Sequence, residues 1–293
     1  MIEIRNLTKA FDKKPILEEI SLTIGDGSIF GLVGINGAGK STLLRLAAGV
    51  LLPDSGEVRI GGKPVYDNPE AKKDLFFLPD EPFWEHNSTG DTLAALCSVY
   101  YPFDRETFER YLRLFEIEPK NPVRNFSKGM KRQLFLSLAY ACRPKTLLLD
   151  EAFDGLDPLS RLRCKRGLIE LQETGTSVLI SSHSLRELED ICDSFAILDR
   201  RRIRDYGSLD DTIASVVKLQ IVFSSDGVSR EDFPFPLLSF EKSGRVVRIA
   251  AKGDREKILS GIDAMQPVLK EEIPIDFEDF FLLATTAEKE ENK

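Results

Sequence analysis

The sequence contains no run of about eighteen apolar residues, which is the length that a membrane-spanning helix requires. Its first residues, Met1 to Arg5, are not followed by the apolar region of a signal peptide. These two absences predict a cytoplasmic protein.

Cysteine is scarce and widely spaced, and no two cysteines form a C-x-x-C pair. This spacing argues against a metal site and against a disulfide framework. We expect buried, inert thiols in a reducing compartment instead. The four residues are Cys97, Cys142, Cys164 and Cys192.

An excess of basic residues is also absent, because the formal net charge is −8. General binding to nucleic acid requires clustered Lys and Arg that displace counterions from phosphates. The local cluster at residues 200–202 consists of three arginines, and such a cluster is more typical of a solvated strand edge. We therefore expect no nucleic-acid partner.

The most specific motif that is present is a glycine-rich segment of the form G-x-x-x-x-G-K-[ST]. Residues 28–33 before it are typical of a buried strand, and residues 42–48 after it are typical of a helix. In this context the backbone N–H groups and the helix start form a site for nucleotide phosphates. Lys40 is predicted to reach the β- and γ-phosphates and Ser41 to bind Mg²⁺. The predicted nucleotide-binding residues of the loop are Gly34, Asn36, Gly37, Ala38, Gly39, Lys40, Ser41 and Thr42.

The first 210 residues are predicted to form an α/β domain with a parallel central sheet, because apolar strands alternate with helices. An antiparallel β subdomain is expected at the N-terminus, and helical spacing predicts a helical insertion over about residues 81–142. The predicted strands are 2–7, 20–24, 29–33, 57–60, 75–78, 146–151 and 177–181. Predicted helices in the rest of this domain are 161–172 and 185–193.

Residues 211–293 are predicted to form a small α+β domain without chemical motifs of its own. Residues 218–223 alternate like a strand, and residues 237–250 indicate a hairpin around Ser243 and Gly244. Helices are expected at 255–265 and 276–285, and a charged tail follows the second.

Two carboxylates end the apolar strand at 146–151. The carboxyl end of a strand is where an open α/β sheet places its ligands. Asp150 there is predicted to hold Mg²⁺, and Glu151 to polarise or deprotonate the water that attacks the γ-phosphate.

With these motifs and the segment 126–130, the chain resembles the ATP-binding subunits of ABC transporters. The segment stands where that family has the signature L-S-G-G-Q. Ser127 and Gly129 match this signature, and residues 126, 128 and 130 depart from it. Ser127 is also typical of a helix N-cap, whose following N–H groups attract phosphate. The resemblance implies a P-loop nucleotide hydrolase core and a head-to-tail dimer in which this surface completes the ATP site of a second copy.

The resemblance extends to three further positions. It implies that His183 is a switch histidine near the γ-phosphate and that Asp157 belongs to the loop that crosses the dimer interface. It also implies that Phe11 stacks on adenine. The implied catalytic residues are Lys40, Glu151 and His183. A GTPase or a small-molecule kinase shares the glycine loop, but neither explains the Ser127 segment together with His183.

Asp80 departs from the family, which has Gln at this position. In the family this glutamine binds Mg²⁺ and signals to the membrane partner whether the nucleotide site is occupied. Aspartate is shorter by one carbon and charged, yet it is still a hard oxygen ligand. We predict that Asp80 keeps contact with the metal and alters this coupling, so that the predicted metal ligands are Ser41, Asp80 and Asp150.

The resemblance implies an ATP-hydrolysing subunit that acts at the cytoplasmic face of the membrane with separate transmembrane permease subunits. Phe83 and Trp84, at the root of the helical insertion, are either docking residues or core residues. The variant signature and the C-terminal extension favour export. One alternative is a soluble, non-transport ABC ATPase that acts in assembly or regulation. A further alternative is that the C-terminal domain is a regulatory or dimerising module and that the chain does not act in transport.

Overall fold

The computed structural model describes residues 1–291, and it describes the side chains of residues 1–285. The chain divides into two compact units, of which the first ends at Tyr206 and the second begins at Gly207.

Strands and helices follow one another along the described chain. The strands are β1 (Ile2–Phe11), β2 (Lys14–Ile24), β3 (Ile29–Val33), β4 (Ser55–Ile60), β5 (Lys63–Pro64), β6 (Leu75–Leu78), β7 (Thr146–Asp150), β8 (Ser177–Ser181), β9 (Ser194–Asp199), β10 (Arg202–Ser208), β11 (Val216–Val222), β12 (Ser239–Ser243), β13 (Val246–Lys252) and β14 (Leu269–Glu272). The helices are α1 (Lys40–Ala47), α2 (Pro69–Lys72), α3 (Gly90–Tyr100), α4 (Arg105–Leu114), α5 (Lys128–Cys142), α6 (Pro158–Glu173), α7 (Leu185–Glu189), α8 (Leu209–Ala214), α9 (Arg255–Ala264) and α10 (Phe277–Glu291).

The central sheet of the first unit has the strand order β10-β9-β3-β8-β7-β6. The five strands from β9 to β6 are parallel to one another. All residues of β3, β7 and β8 are buried, as expected for parallel strands that are covered on both faces. The predicted α/β class and parallel central sheet are confirmed. Because the strands are parallel, the loops that follow β3, β7 and β8 lie at one edge of the sheet.

An antiparallel sheet of order β2-β1-β4-β5 confirms the predicted N-terminal β subdomain. β1 reaches Phe11, four residues beyond its predicted end at residue 7. The pairing of β1 with β2 shifts register more than once, and Asn6 and Glu19 have left-handed φ values of 47° and 52°. Such bulges let a hairpin continue past residues that break simple alternation.

The helical insertion consists of α3, α4 and α5, and each helix begins at a side-chain cap. The side chains of Thr89, Asp104 and Ser127 accept hydrogen bonds from backbone N–H groups of the first turn. These caps satisfy donors that a helix start otherwise leaves unpaired. Phe108 and Tyr111 bury one face of α4, and this helix packs against α5.

The prediction for residues 185–199 of the first unit was wrong in two respects. The helix predicted at 185–193 ends at Glu189 as α7. The strand β9 was missed, although residues 195–198 are apolar and fully buried. β9 lies beside β3, so it supplies the wall behind the glycine loop.

The second unit has an antiparallel sheet of order β12-β13-β11-β14. β12 and β13 form the hairpin predicted around residues 243–244, and Gly244 has a φ of 60° at its turn. α9 packs on this sheet through Ile258 and Ile262. α10 continues to Glu291 and not to residue 285, and residues 292 and 293 of the predicted charged tail lie outside the described residues.

No helix among the described residues combines the length and the apolar character needed to cross a bilayer.

Candidate functional site

The glycine loop joins the end of β3 to the start of α1 and borders a cavity of about 350 Å³. Residues 36–42 line this cavity together with Phe11, Ile16 and Glu151. Gly34 and Gly39 have no room for a side chain. A Cβ on Gly34 would lie 2.4 Å from the Leu198 carbonyl oxygen, and one on Gly39 would lie 2.9 Å from Leu17. Gly39 also has a φ of 112°, which only glycine adopts without strain.

Phe11 is the aromatic residue at the rim of the cavity. It ends β1, and it is 44% exposed. The Lys9 ammonium lies 5.3 Å from the centre of its ring, and Lys9 also pairs with Asp54 at 2.8 Å. An exposed ring in this place offers a stacking surface for a base.

Lys40 is buried at the base of the loop. Its Nζ donates a hydrogen bond to the Gly34 carbonyl oxygen at 2.8 Å and lies 3.7 Å from Glu151 Oε1. The ammonium group therefore lies beside a cavity that is rich in backbone N–H groups. This arrangement suits a phosphate group, with which the Lys40 ammonium would pair in addition to Glu151.

Asp150, Ser41 and Ser181 form a buried oxygen cluster at the carboxyl ends of the strands. Both serine hydroxyls donate to Asp150 Oδ1, Ser41 at 3.1 Å and Ser181 at 2.8 Å. Asp150 is 1% exposed, and its Oδ2 has no hydrogen-bond partner in the described part of the chain. A buried carboxylate oxygen without a donor is costly unless a cation neutralises it. The carboxylate and hydroxyl oxygens are hard ligands, so these residues fit Mg²⁺.

Glu151 follows β7 with a left-handed φ of 49°, a strained conformation for a residue other than glycine. Its backbone N–H donates to the Ser181 carbonyl oxygen at 3.1 Å. Its side chain turns to His183, whose Nδ1 lies 2.8 Å from Oε2. The carboxylate of Glu151 thus faces the cavity between Lys40 and His183.

Lys128 and Gly129, which follow Ser127, lie against the loop that carries Asp157. A Cβ on Gly129 would lie 2.7 Å from the Gly155 carbonyl oxygen. Asp157 caps α6, and its pKa is lowered mainly by a hydrogen bond with Ser160. Lys128 pairs with Asp154 at 2.5 Å, and this bond lowers the pKa of the Asp154 carboxyl group.

Residues 127–129 and 154–157 are not among the residues that line the cavity. Within the described chain, no hydrogen bond or ion pair joins either segment to the loop at 34–42. The second segment adjoins Glu151, because the Asp154 N–H donates to the Glu151 carbonyl oxygen at 3.1 Å. In one copy of the chain, the residues of the predicted ATP site therefore fall into two groups, of which only one lines the cavity.

Asp80 does not contact Ser41 or the side chain of Asp150. Its Oδ1 accepts a hydrogen bond from Arg132 Nη2 at 2.8 Å and lies 4.0 Å from Lys128 Nζ. The predicted metal role of Asp80 would therefore place Mg²⁺ in competition with Arg132 for this carboxylate.

Sequence reasoning missed Ser181 and Arg132. Ser181 could have been found, because it ends β8 in register with Asp150 at the end of β7. Arg132 gave no such signal, since an arginine in the first turns of a helix is ordinarily exposed.

Comparisons with known proteins place this site in a family context. The family model described as ABC transporter matches residues 17–154. The ABC transporter ATP-binding protein YtrB of Bacillus subtilis is 31% identical over 285 residues, which span 96% of this chain and 97% of that protein.

Solved structures agree with this comparison. The structure of an ATP-binding subunit of an ABC transporter matches with a TM-score of 0.68 and 30% identity, over 73% of this chain and 92% of that one. The ATP-binding cassette MJ0796, solved as a dimer with ADP and Pi, shares the fold with a TM-score of 0.65 at 20% identity. That match covers 71% of this chain and 99% of that one.

Proposed function

This chain belongs to the ATP-binding subunits of ABC transporters, and on that premise we propose that two copies close head to tail around two ATP molecules to drive export through separate membrane subunits. The chain binds ATP and hydrolyses it. The observation that carries the proposal is the division of the site residues into two groups. The cavity at residues 34–42 holds the phosphate-binding groups, and Ser127, Gly129 and Asp157 lie in a separate cluster of the same chain.

Within the cavity each residue has a definable task. Phe11 stacks on the base, and the N–H groups of residues 36–42 surround the phosphates. Lys40 neutralises the charge that develops on the γ-phosphoryl oxygens. Glu151 accepts a proton from the attacking water or orients it, and His183 holds the γ-phosphoryl group.

Ser41 and Asp150 would hold Mg²⁺, with Asp80 as a further ligand. The bound metal would neutralise charge on the β- and γ-phosphates.

A second copy would supply the missing side of each cavity. Ser127 caps α5, so that the N–H groups of its first turn can bind a phosphate of the other copy. Asp157, on the adjoining loop, would lie at the same contact. The relative MJ0796 was solved as a dimer in a post-hydrolysis state, which supports this arrangement. ATP then stabilises the closed pair more than ADP does, and hydrolysis loosens it.

The helical insertion offers a surface for the membrane subunit, which would hold this chain at the cytoplasmic face of the membrane. Phe83 is 89% exposed in the loop before α3. Trp84 packs against Phe135, with ring centres 6.0 Å apart, and Lys131 lies over its ring. Phe83 therefore has the exposure of a docking residue, whereas Trp84 anchors the loop to α5.

Mixing two inactive variants tests the shared site. Lys40→Ala damages the cavity surface, and Ser127→Arg damages the other surface. A mixed dimer contains one site in which both surfaces are intact, so we expect each variant alone to be inactive and the mixture to regain hydrolysis. The readouts are phosphate release and ATP retained per dimer on size exclusion. A mixture that shows neither regained hydrolysis nor retained ATP would overturn the shared site.

Co-purification from detergent-solubilised membranes tests the transport role. We expect the tagged chain to retain a membrane-embedded partner. Retention of water-soluble proteins alone would instead support the non-transport ATPase. Uptake into inverted vesicles that contain the recovered complex would then support export, and efflux from them would contradict it.

A further inference from the structure

Arg132 is a buried arginine that connects two loops at the edge of the site. Its side chain is 2% exposed. Nη1 donates to the Pro79 carbonyl oxygen at 3.1 Å and lies 3.5 Å from the Asp150 carbonyl oxygen. Nη2 donates to both the carbonyl oxygen and Oδ1 of Asp80, each at 2.8 Å. The guanidinium group therefore joins the loop after β6 to the end of β7, from which Asp150 and Glu151 extend.

The charge balance of this contact depends on Asp80. Three of the four acceptors are neutral carbonyl oxygens, and only the Asp80 carboxylate carries a negative charge. Burial lowers the pKa of Arg132 because the charged guanidinium is desolvated, whereas the charges of Asp80, Asp154 and Asp150 act in the opposite direction. Among these three carboxylates only that of Asp80 accepts a hydrogen bond from Arg132, so its loss would remove the one directly bonded anion from a buried cation.

The side chain of Asp80 is far more exposed than that of Arg132. Its side chain is 43% exposed, and it belongs to a loop. Lys128 lies 4.0 Å from the same oxygen but is held by Asp154 at 2.5 Å. Arg132 is thus the group that decides where the Asp80 carboxylate lies.

We propose that Arg132 is a positioning residue for the metal site, which withholds Asp80 from Mg²⁺ until metal and nucleotide compete for the carboxylate. The inference rests on the proposed metal role of Asp80. A neutral glutamine amide in this position would bind the guanidinium less strongly than a carboxylate does. The Asp80–Arg132 pair therefore adds a cost to metal binding by Asp80 that a glutamine at this position would largely lack.

Binding of Mn²⁺ in the presence of ADP tests the inference without relying on hydrolysis. Mn²⁺ accepts the same hard oxygen ligands as Mg²⁺, and its electron paramagnetic resonance signal separates free from bound metal. We expect Arg132→Gln to bind Mn²⁺ on the order of tenfold more tightly than the parent chain, as expected from loss of a charged hydrogen bond that competes with the metal. In the Asp80→Asn background the same Arg132→Gln change should have no effect on Mn²⁺ affinity.

Two further variants keep the test decisive. Arg132→Lys retains the positive charge but loses the forked hydrogen bonds of the guanidinium group. We expect it to raise the Mn²⁺ affinity less than Arg132→Gln does. This variant replaces Arg132→Gln in the test if Arg132→Gln fails to fold. Arg105→Gln is the matched control, because Arg105 also pairs with an aspartate at 2.8 Å, namely Asp91 on α3. This control should leave the Mn²⁺ affinity unchanged.

A merely structural role for Arg132 gives a different pattern. Arg132→Gln would then lower the melting temperature and would weaken or leave unchanged the Mn²⁺ affinity, and this result overturns the inference. An equal gain with and without Asp80 would overturn it as well. Neither result affects the shared ATP site, which the mixing experiment tests separately.

Discussion

Glu151 and His183 are joined by two contacts to one carboxylate oxygen. His183 Nδ1 lies 2.8 Å from Glu151 Oε2, and the backbone N–H of His183 donates to the same atom at 3.1 Å. The other oxygen, Oε1, lies 3.7 Å from Lys40 Nζ. The carboxylate is therefore held from both sides at the wall of the cavity, which is the position that a general base requires.

Glu151→Gln should remove the proposed general base while preserving the shape of the site. We expect turnover to fall by about 10²–10⁴-fold, the range for loss of a general base. ATP-dependent dimers should persist, because the phosphate-binding groups remain. Phosphate release and light scattering after size exclusion measure the two effects. Glu170→Gln is the control, since Glu170 forms an exposed ion pair with Arg110. If Glu151→Gln hydrolyses ATP normally, another residue is the base.

Gly129→Ala tests the close contact between the start of α5 and the loop before α6. Its Cβ would lie 2.7 Å from the Gly155 carbonyl oxygen, so the two segments have to move apart. Such overpacking costs about 1–3 kcal/mol, and we expect a similar loss in the free energy of unfolding together with weaker ATP-dependent dimerisation. Urea unfolding and size exclusion measure these changes.

Gly25→Ala is the control for this substitution. Its Cβ would lie 3.8 Å from Ser28 Oγ, an ordinary contact. If both alanine variants behave alike, the contact with Gly155 does not position the start of α5.

The Lys128–Asp154 pair predicts how stability depends on pH. The hydrogen bond from Lys128 lowers the pKa of Asp154, so its contribution is present above the unfolded pKa and is lost as the pH falls through the folded pKa. The same pair raises the pKa of Lys128, and that contribution is lost only as the pH rises through the raised value. We therefore expect the destabilisation by Asp154→Asn to be constant near neutral pH and to vanish in acid.

The size of this effect is limited by solvent. Both side chains are 40% or more exposed, and screening keeps such a pair below about 1 kcal/mol. Urea unfolding at neutral and acid pH measures the difference. In a Lys128→Gln background, Asp154→Asn should change little at neutral pH; an undiminished effect there would mean that another partner stabilises Asp154.

Substitutions at Phe83 and Trp84 should distinguish loss of docking to the membrane subunit from loss of stability. Phe83→Ser changes an exposed side chain, so we expect the free energy of unfolding to change by no more than about 0.5 kcal/mol, and basal ATP hydrolysis to be retained. Association with the membrane subunit should be lost. Trp84→Ala removes the contact with Phe135 and should destabilise the chain by about 1–3 kcal/mol.

Melting temperature and recovery of the chain with solubilised membranes measure these two outcomes. Full recovery of Phe83→Ser with membranes would place the docking surface elsewhere on the chain.

Local sequence was sufficient for three strands of the central sheet. The predicted strands at 29–33, 75–78 and 177–181 coincide with β3, β6 and β8. Each is a short, largely apolar run that ends at turn residues, and a fully buried strand has this pattern. β9 has a similar apolar run, but residues 190–193 between α7 and β9 contain no glycine or proline to mark where the helix ends.

The sequence alone was enough to predict a phosphate loop, since its glycines, Lys40 and Ser41 lie within one short segment. Only the tertiary structure showed that the Glu151 carboxylate turns to His183 and that Asp80, 52 residues before Arg132, is its charge partner. Such contacts depend on which strand ends are neighbours in the sheet and on which face of α5 is buried. Local patterns do not contain that information, because strand order and the burial of a charged side chain are decided by packing across the whole unit.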